Sequence, residues 1–237
     1  MGYELILLAA GQGKRMFSTK NKILLELMGK PVIIHCMETF LADVYCQNIV
    51  LVAQEEELEV MQQIVQKYLP EQRNVEIVSG GKERQDSVFK GLNHIKDEAH
   101  YVLVHDGARP FVTPAILSSV YQALEKNQAV IAGVPVKDTI KRVSGMKVEE
   151  TVPRDALWQI QTPQAFIGRE LKQAHELARK QSFLGTDDAS LIEKFGHRQV
   201  KVVMADYENI KLTTPEDLLI GEAILRKRME QVERKEV

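Results

Sequence analysis

Short apolar runs alternate along this chain with longer amphipathic stretches. The runs that read as strands are Leu5 to Ala9, Ile49 to Ala53, Val75 to Ser79, Tyr101 to His105, Val130 to Val134 and Val200 to Met204. Continuous apolarity over a few residues suits strands covered on both faces, as in a parallel sheet with helices on each side. Between the runs the period changes. Leu58, Met61, Ile64, Val65 and Tyr68 recur at helical spacing, as do Val88, Leu92 and Ile95, with Ser87 near the start of that second helix. The alternation predicts an α/β fold, Rossmann-like, with a mostly parallel sheet flanked by helices.

Helix entries carry their own chemistry. Thr113-Pro114 and Thr214-Pro215 each place a capping hydroxyl before a proline at the first helical position. Thr214 with Asp217 resembles a capping box that uses Asp in place of Glu. One segment breaks the alternation: KDTIKRVSGMKVEETV, Lys137 to Val152, holds two β-like runs around Ser144-Gly145. That pattern predicts a hairpin leaving the sheet. Such an arm, at about residues 137–153, is too polar for a core of its own and is expected to pack on a second subunit. With no repeat, low-complexity tract or linker, residues 1–237 read as a single domain with an arm. The last helix runs into Arg226-Lys227-Arg228 and a charged tail, read as a solvated helix end.

Composition narrows the function classes. The 237 residues are 44% apolar and 27% charged, enough for a sizeable core in a globular protein. A formal net charge of -2 argues against a nucleic-acid binder, although local basic residues can still serve a polyphosphate. No apolar run is long enough to span a membrane, and Met1-Gly2-Tyr3-Glu4 lacks the basic segment of a signal peptide. The two cysteines, Cys36 and Cys46, lie in apolar stretches without metal spacing, which predicts buried thiols in a reducing cytoplasm. The six histidines show no metal spacing either. His35, His94, His100, His175 and His197 read as packing or surface residues, and His105 as the end of a strand. Trp158 reads as packing, since one aromatic makes no stacking platform.

Three clusters follow strand candidates. LLAAGQGKRM ends the first, GGKERQDSV the third and VHDGARP the fourth. Glycines and small residues let the backbone approach a ligand, and successive N–H groups then cradle phosphate oxygens. Taken alone, Gly11-x-Gly13 is weak evidence, because a plain strand-to-helix turn with solvated basic residues has the same pattern. A dinucleotide fingerprint needs a third glycine where Met16 stands, and a Walker A loop needs Gly-Lys-Ser/Thr. In open parallel sheets ligands bind beyond the carboxyl ends of strands, so the clusters should converge on one crevice. Asp106, an acid at a strand end, is placed to hold Mg²⁺ against phosphates. Thr186-Asp187-Asp188 is compatible with a helix cap.

Together with PVKDTIKR, QTPQAF, GTDDAS and NIKLTTPEDL, in order from about residue 5 to 218, these clusters resemble the 2-C-methyl-D-erythritol 4-phosphate cytidylyltransferase family. The resemblance implies a Rossmann-like nucleotidyltransferase using CTP and Mg²⁺, and a homodimer joined through the arm. It implies that Ala9, Ala10, Gly11 and Gly13 wrap the CTP phosphates while Arg15 and Lys22 neutralise them. Gly80, Gly81 and Ser87 would meet the cytosine side, and Lys82 stands where an acidic residue is expected. Asp106 would hold the metal or a substrate hydroxyl. Arg109, Thr139, Arg154, Thr162, Thr186 and Lys211 would surround methylerythritol phosphate, with Arg109, Thr139 and Arg154 as candidates for donation by a partner subunit. Arg15, Lys22 and Lys211 would be the catalytic cations. Competing readings are a ribitol-5-phosphate cytidylyltransferase, a catalytically silent nucleotide-binding dimer and a nicotinamide dehydrogenase. Intact Arg15, Lys22, Asp106 and Lys211 argue against the silent dimer, and the missing third glycine against the dehydrogenase.

Overall fold

Each of the six apolar runs forms a strand in the computed structural model, which describes residues 2–11, 21–71, 74–98 and 100–234. Strand β1 (Tyr3–Leu8) is followed by a small ribbon, β2 (Glu26–Leu27) and β3 (Lys30–Pro31), and helix α1 (Val32–Leu41). Two strand–helix units come next, β4 (Cys46–Ala53) with α2 (Leu58–Tyr68) and β5 (Val75–Ser79) with α3 (Arg84–Leu92). Then come β6 (Tyr101–Asp106), α4 (Pro114–Asn127), β7 (Ala129–Pro135), the hairpin β8 (Ile140–Ser144) and β9 (Lys147–Val152), and β10 (Trp158–Ile167). The chain closes with α5 (Gly168–Lys180), α6 (Asp188–Phe195), β11 (Lys201–Met204) and α7 (Pro215–Glu233).

The main sheet has seven strands in the order β11-β7-β10-β6-β1-β4-β5. Strands β11 and β7, β6 and β1, β1 and β4, and β4 and β5 pair in parallel, whereas β10 runs antiparallel to both its neighbours. Side chains alternate between faces, so Leu5 and Leu7 enter one core layer and Ile6 the other. All three are fully buried, which is why the strand reads as an unbroken apolar run. Each such side chain contributes about 1.5–3 kcal/mol through burial. Phe40 and Met37 of α1 fill the first layer, and Phe166 with Leu171 the second.

Strand β10 was not among the expected strands. Its sequence WQIQTPQAFI alternates glutamines with apolar residues around a proline, so no apolar run marks it. Its register with β7 shifts between Ile160 and Gln164, an irregularity of the kind that re-aims side chains. Trp158 is exposed at the outer end of this strand and does not pack in the core.

The caps behave as their chemistry requires. Thr113 Oγ1 accepts a 3.3 Å hydrogen bond from the Ile116 N–H, with Pro114 opening α4. Ahead of α7, Asp217 Oδ2 accepts from the backbone N–H groups of Thr213 at 2.6 Å and Thr214 at 2.8 Å. The arm is a two-stranded ribbon of β8 and β9 alone, turning through Gly145 and Met146 at φ +54° and +64°. Two left-handed residues match the twist of a tight hairpin, and the turn sits one residue later than the Ser144-Gly145 expected from sequence. Cys36 is buried and Cys46 half-buried. Burial, with Asp43 nearby, pushes the Cys46 thiol up to about 12, so it stays a neutral thiol. Among the described residues, no helix is long and apolar enough to cross a membrane.

Candidate active site

The parallel register places the carboxyl ends of neighbouring strands side by side: Leu8 pairs with Asp106 and Val52, and Ala53 with Ser79. The segments that leave these ends form one cleft of about 530 Å³. Ala9, Ala10 and Gly11 line it after β1, Gly81 to Arg84 and Ser87 after β5, Asp106 and Ala108 after β6, and Lys211 and Thr213 from the segment ahead of α7. Small residues are needed because the loops touch. A Cβ added to Gly80 would stand 2.5 Å from the Cβ of Ala10, and one on Gly81 2.3 Å from that of Asp86. The Gly81 N–H donates to Ser87 Oγ at 3.0 Å, and that hydroxyl donates to the Glu83 carbonyl at 3.1 Å. Ser87 thereby closes the turn that leads into α3.

Asp106 is the electrostatic centre. Its carboxylate lies 2.7 Å from Lys211 Nζ, 3.4 Å from Arg84 Nε and 3.7 Å from Arg109 Nε. Burial pushes the carboxyl up, but the Lys211, Arg84 and Arg109 charges outweigh it and hold it well below the usual carboxylate range. Arg109 Nη1 donates to the Asn209 carbonyl at 2.9 Å, so this residue joins the site of its own chain.

Behind Asp106 a buried polar relay fixes the strand end. The Asp106 N–H donates to Thr162 Oγ1 at 3.0 Å, and Thr162 Oγ1 lies 3.1 Å from His105 Nδ1. His105 Nε2 lies 3.1 Å from the Arg109 carbonyl, which can only accept. The imidazole therefore carries its proton on Nε2, Nδ1 accepts from the Thr162 hydroxyl, and the ring is neutral. Burial lowers its pKa from 6.5 to about 4, in keeping with that assignment. Asn209 Nδ2 donates to Gln161 Oε1 at 2.8 Å and to the Thr162 carbonyl at 3.0 Å, tying the Lys211 segment to the irregular part of β10.

On the opposite wall Asn21 Nδ2 donates to the Ala9 carbonyl at 2.9 Å and to Glu57 Oε2 at 2.8 Å. This buried side chain sets Lys22, the first residue of a 3-10 turn, on the lining of the cleft.

Of the residues singled out from sequence, the cleft gathers Ala9, Ala10, Gly11, Lys22, Gly81, Ser87, Asp106 and Lys211. Gly80 lies directly behind the lining, and Arg109 lies beside Asp106. Thr162 is buried with its hydroxyl engaged by Asp106 and His105. Thr139 and Arg154 stand exposed at the foot of the arm, where Arg154 donates to the Lys137 carbonyl. Thr186 is exposed ahead of α6, and the N-cap is Asp187, which accepts from the Ser190 N–H at 2.9 Å. Gly13 and Arg15 lie outside the described residues. Sequence reasoning assigned no role to Arg84 or Asn21. A basic residue opening a helix after a Gly-Gly turn was the available signal for Arg84; nothing marked Asn21. Among the described residues no group of three or more His, Cys, Asp or Glu side chains could hold a metal.

A family model described as 2-C-methyl-D-erythritol 4-phosphate cytidylyltransferase matches residues 4–227. Proteins of that name from Halalkalibacterium halodurans and Bacillus velezensis are 50% identical to the chain over 225 and 226 residues, in each case 95% of this chain and 97% of the relative. The crystal structure of 4-diphosphocytidyl-2C-methyl-D-erythritol synthase from Anaerococcus prevotii superposes with a TM-score of 0.84 at 33% identity, covering 95% of this chain and 98% of that one. A family model matched over residues 4–227 and relatives 50% identical over 95% of the chain agree, and the chain belongs to the 2-C-methyl-D-erythritol 4-phosphate cytidylyltransferase family.

Proposed function

We propose that the chain transfers CMP from CTP to 2-C-methyl-D-erythritol 4-phosphate, giving 4-diphosphocytidyl-2-C-methyl-D-erythritol and pyrophosphate for isoprenoid precursor synthesis. The observation that carries this reading is the cleft itself, where glycine-containing loops, Lys22 and the Asp106–Lys211 pair share one lining. An acceptor phosphate oxygen attacks the α-phosphorus, the bond to the β-phosphate oxygen breaks, and pyrophosphate leaves. A phosphate monoester is already an anion near neutral pH, so no strong general base is needed. The obstacle is the approach of two anions and the charge that builds on the transferring group. Positioned cations meet it.

Lys22 and Lys211, with Arg15, supply that charge. Ala9, Ala10, Gly11 and Gly13 take the triphosphate through the backbone, and Gly80, Gly81 and Ser87 shape the cytosine side. Lys82, where an acidic residue is expected, is exposed on the same lining. Mg²⁺ fits a donor set of one carboxylate, because that ion is commonly held by one or two carboxylates together with substrate phosphates. Asp106 would hold it, and the ion, when bound, would neutralise phosphate charge. Arg109 serves the acceptor from within its own chain. Thr162 acts through Asp106, since its hydroxyl is already engaged.

Thr139 and Arg154 belong to the arm and do not line the cleft of their own chain, which supports a homodimer in which the arm, with Thr186 opposite, completes the acceptor pocket of a second copy. Two small-molecule polyanions as substrates and two free cysteines suit a cytoplasmic enzyme of one domain, with no role for nucleic acid or membrane. Steady-state kinetics on two variants test the division of roles. Lys211→Ala is expected to lower kcat by about 10²–10³. Arg154→Ala is expected to raise KM for the acceptor while CTP affinity holds; loss of CTP binding in the Arg154 variant contradicts the two-pocket division.

A further inference from the structure

Arg84 bridges two carboxylates of different depth. Its Nε faces Asp106 Oδ1 at 3.4 Å, and its Nη2 lies 2.8 Å from Asp188 Oδ2. Asp106 lines the cleft, whereas Asp188 is 1% exposed at the start of α6. On the far side of Asp188, the fully buried His175 of α5 brings Nε2 to 3.3 Å from Oδ1. A row of charged and polar groups thus runs from the helix layer to the cleft, through His175, Asp188, Arg84, Asp106 and Lys211. Arg84 is itself one of the residues that line the cleft. With five N–H groups in a fixed plane, it has donors left after the two carboxylates are met.

The segment that carries Asp188 is clasped. Gln85 Nε2 donates to the Phe183 carbonyl at 3.0 Å and Gln85 Oε1 accepts from the Gly185 N–H at 2.9 Å. Gln164 Nε2 donates to Asp187 Oδ2 at 2.7 Å, and Gln164 Oε1 accepts from the Ala189 N–H at 3.1 Å. Two buried or half-buried amides therefore hold the backbone on either side of Asp188. A carboxylate fixed this firmly can orient a flexible arginine, whose long side chain otherwise samples many rotamers. Burial pushes the Asp188 carboxyl up, but Arg84 and His175 outweigh it and keep it ionised.

We propose that Asp188, backed by His175, is a positioning residue for the nucleotide site: it holds Arg84 so that the guanidinium steadies Asp106 and presents its remaining N–H groups to the bound nucleotide. The inference rests on the cleft being the CTP site. It adds Arg84 to the residues that meet the nucleotide, and it assigns a purpose to an aspartate and a histidine that lie outside the cleft lining.

A double-variant cycle on kcat/KM for CTP tests it, with CTP affinity measured calorimetrically without acceptor and melting temperature recorded for each protein. Pyrophosphate release by the wild-type protein comes first; silence there overturns the CTP reading itself. With an active wild type, Arg84→Lys is expected to lose about 10²-fold, because a lysine cannot span both carboxylates. Asp188→Asn, nearly isosteric, is expected to lose about tenfold in kcat/KM for CTP with the acceptor KM unchanged, and Asp188→Glu to recover part of it. The Arg84→Lys, Asp188→Asn protein is expected to be no worse than Arg84→Lys alone, the signature of one residue acting through the other. If the asparagine variant does not fold, the same cycle is read with Asp188→Glu. Additive losses, or an Asp188→Asn protein with a lowered melting temperature and unaltered CTP parameters, overturn the positioning role.

Discussion

His105 and Asp106 are adjacent in the chain and both are shifted downward, which leaves the imidazole neutral and the carboxylate charged. Asp106 must stay charged among three cations, and His105 must stay neutral so that its Nδ1 can accept from the Thr162 hydroxyl while Nε2 donates to the Arg109 carbonyl. The folded pKa of His105, about 4, lies below its ordinary 6.5. Between those values the unfolded chain binds the extra proton, so stability rises with pH across this window and is lost as pH falls through it. The difference of about 2.5 pH units corresponds to about 3 kcal/mol for the fully buried ring. Urea unfolding at pH 7.5 and pH 4.5 is expected to show this loss, and His105→Gln, which can still donate to Arg109, is expected to flatten it. Equal slopes for the two proteins contradict the assignment. At this scale the sequence was informative where a residue sits at the end of an apolar run: Asp106 was legible as a residue of the cleft. Arg84 was not, because its meaning depends on Asp188, and only the fold brings the first residue of α6 to the first residue of α3.

Elements built from continuous apolar residues or strong caps could be read directly from the chain. The six strand runs and the Thr113-Pro114 entry of α4 are of this kind. Strand β10 could not be read, because its polar residues are consumed inside the protein. Gln161, Thr162 and Gln164 spend their side chains on Asn209, His105 and Asp187, so burial and polarity coincide. The arm was legible from its hairpin pattern, and its structure exposes Val143, Met146 and Val148 on a two-stranded ribbon. An isolated two-stranded ribbon is marginally stable in water, and apolar residues on it call for a partner surface. Sedimentation of the wild-type protein is expected to give a dimer, and the Val143→Asp, Val148→Asp protein a monomer with a folded sheet. A monomeric wild type, or a variant dimer of undiminished affinity, removes the arm from the interface.

Across the whole molecule the parallel register does the gathering. Once β1, β4, β5 and β6 lie side by side in parallel, the loops after three of them must emerge at one edge. The segment carrying Asn209 and Lys211 is then drawn to that edge by hydrogen bonds to β10, which closes the cleft from the far side. The order of motifs was enough to expect this convergence, and the antiparallel insertion of β10 supplies the support the motifs did not show. In the proposed assignment several of the groups that select the acceptor, Thr139, Arg154 and Thr186, lie outside the cleft lining, so the acceptor is the claim to test directly. Pyrophosphate release should be measured for purified protein with CTP and Mg²⁺, comparing 2-C-methyl-D-erythritol 4-phosphate with ribitol 5-phosphate. Release with the first acceptor alone is the predicted result; release only with ribitol 5-phosphate, or with neither, would contradict the account.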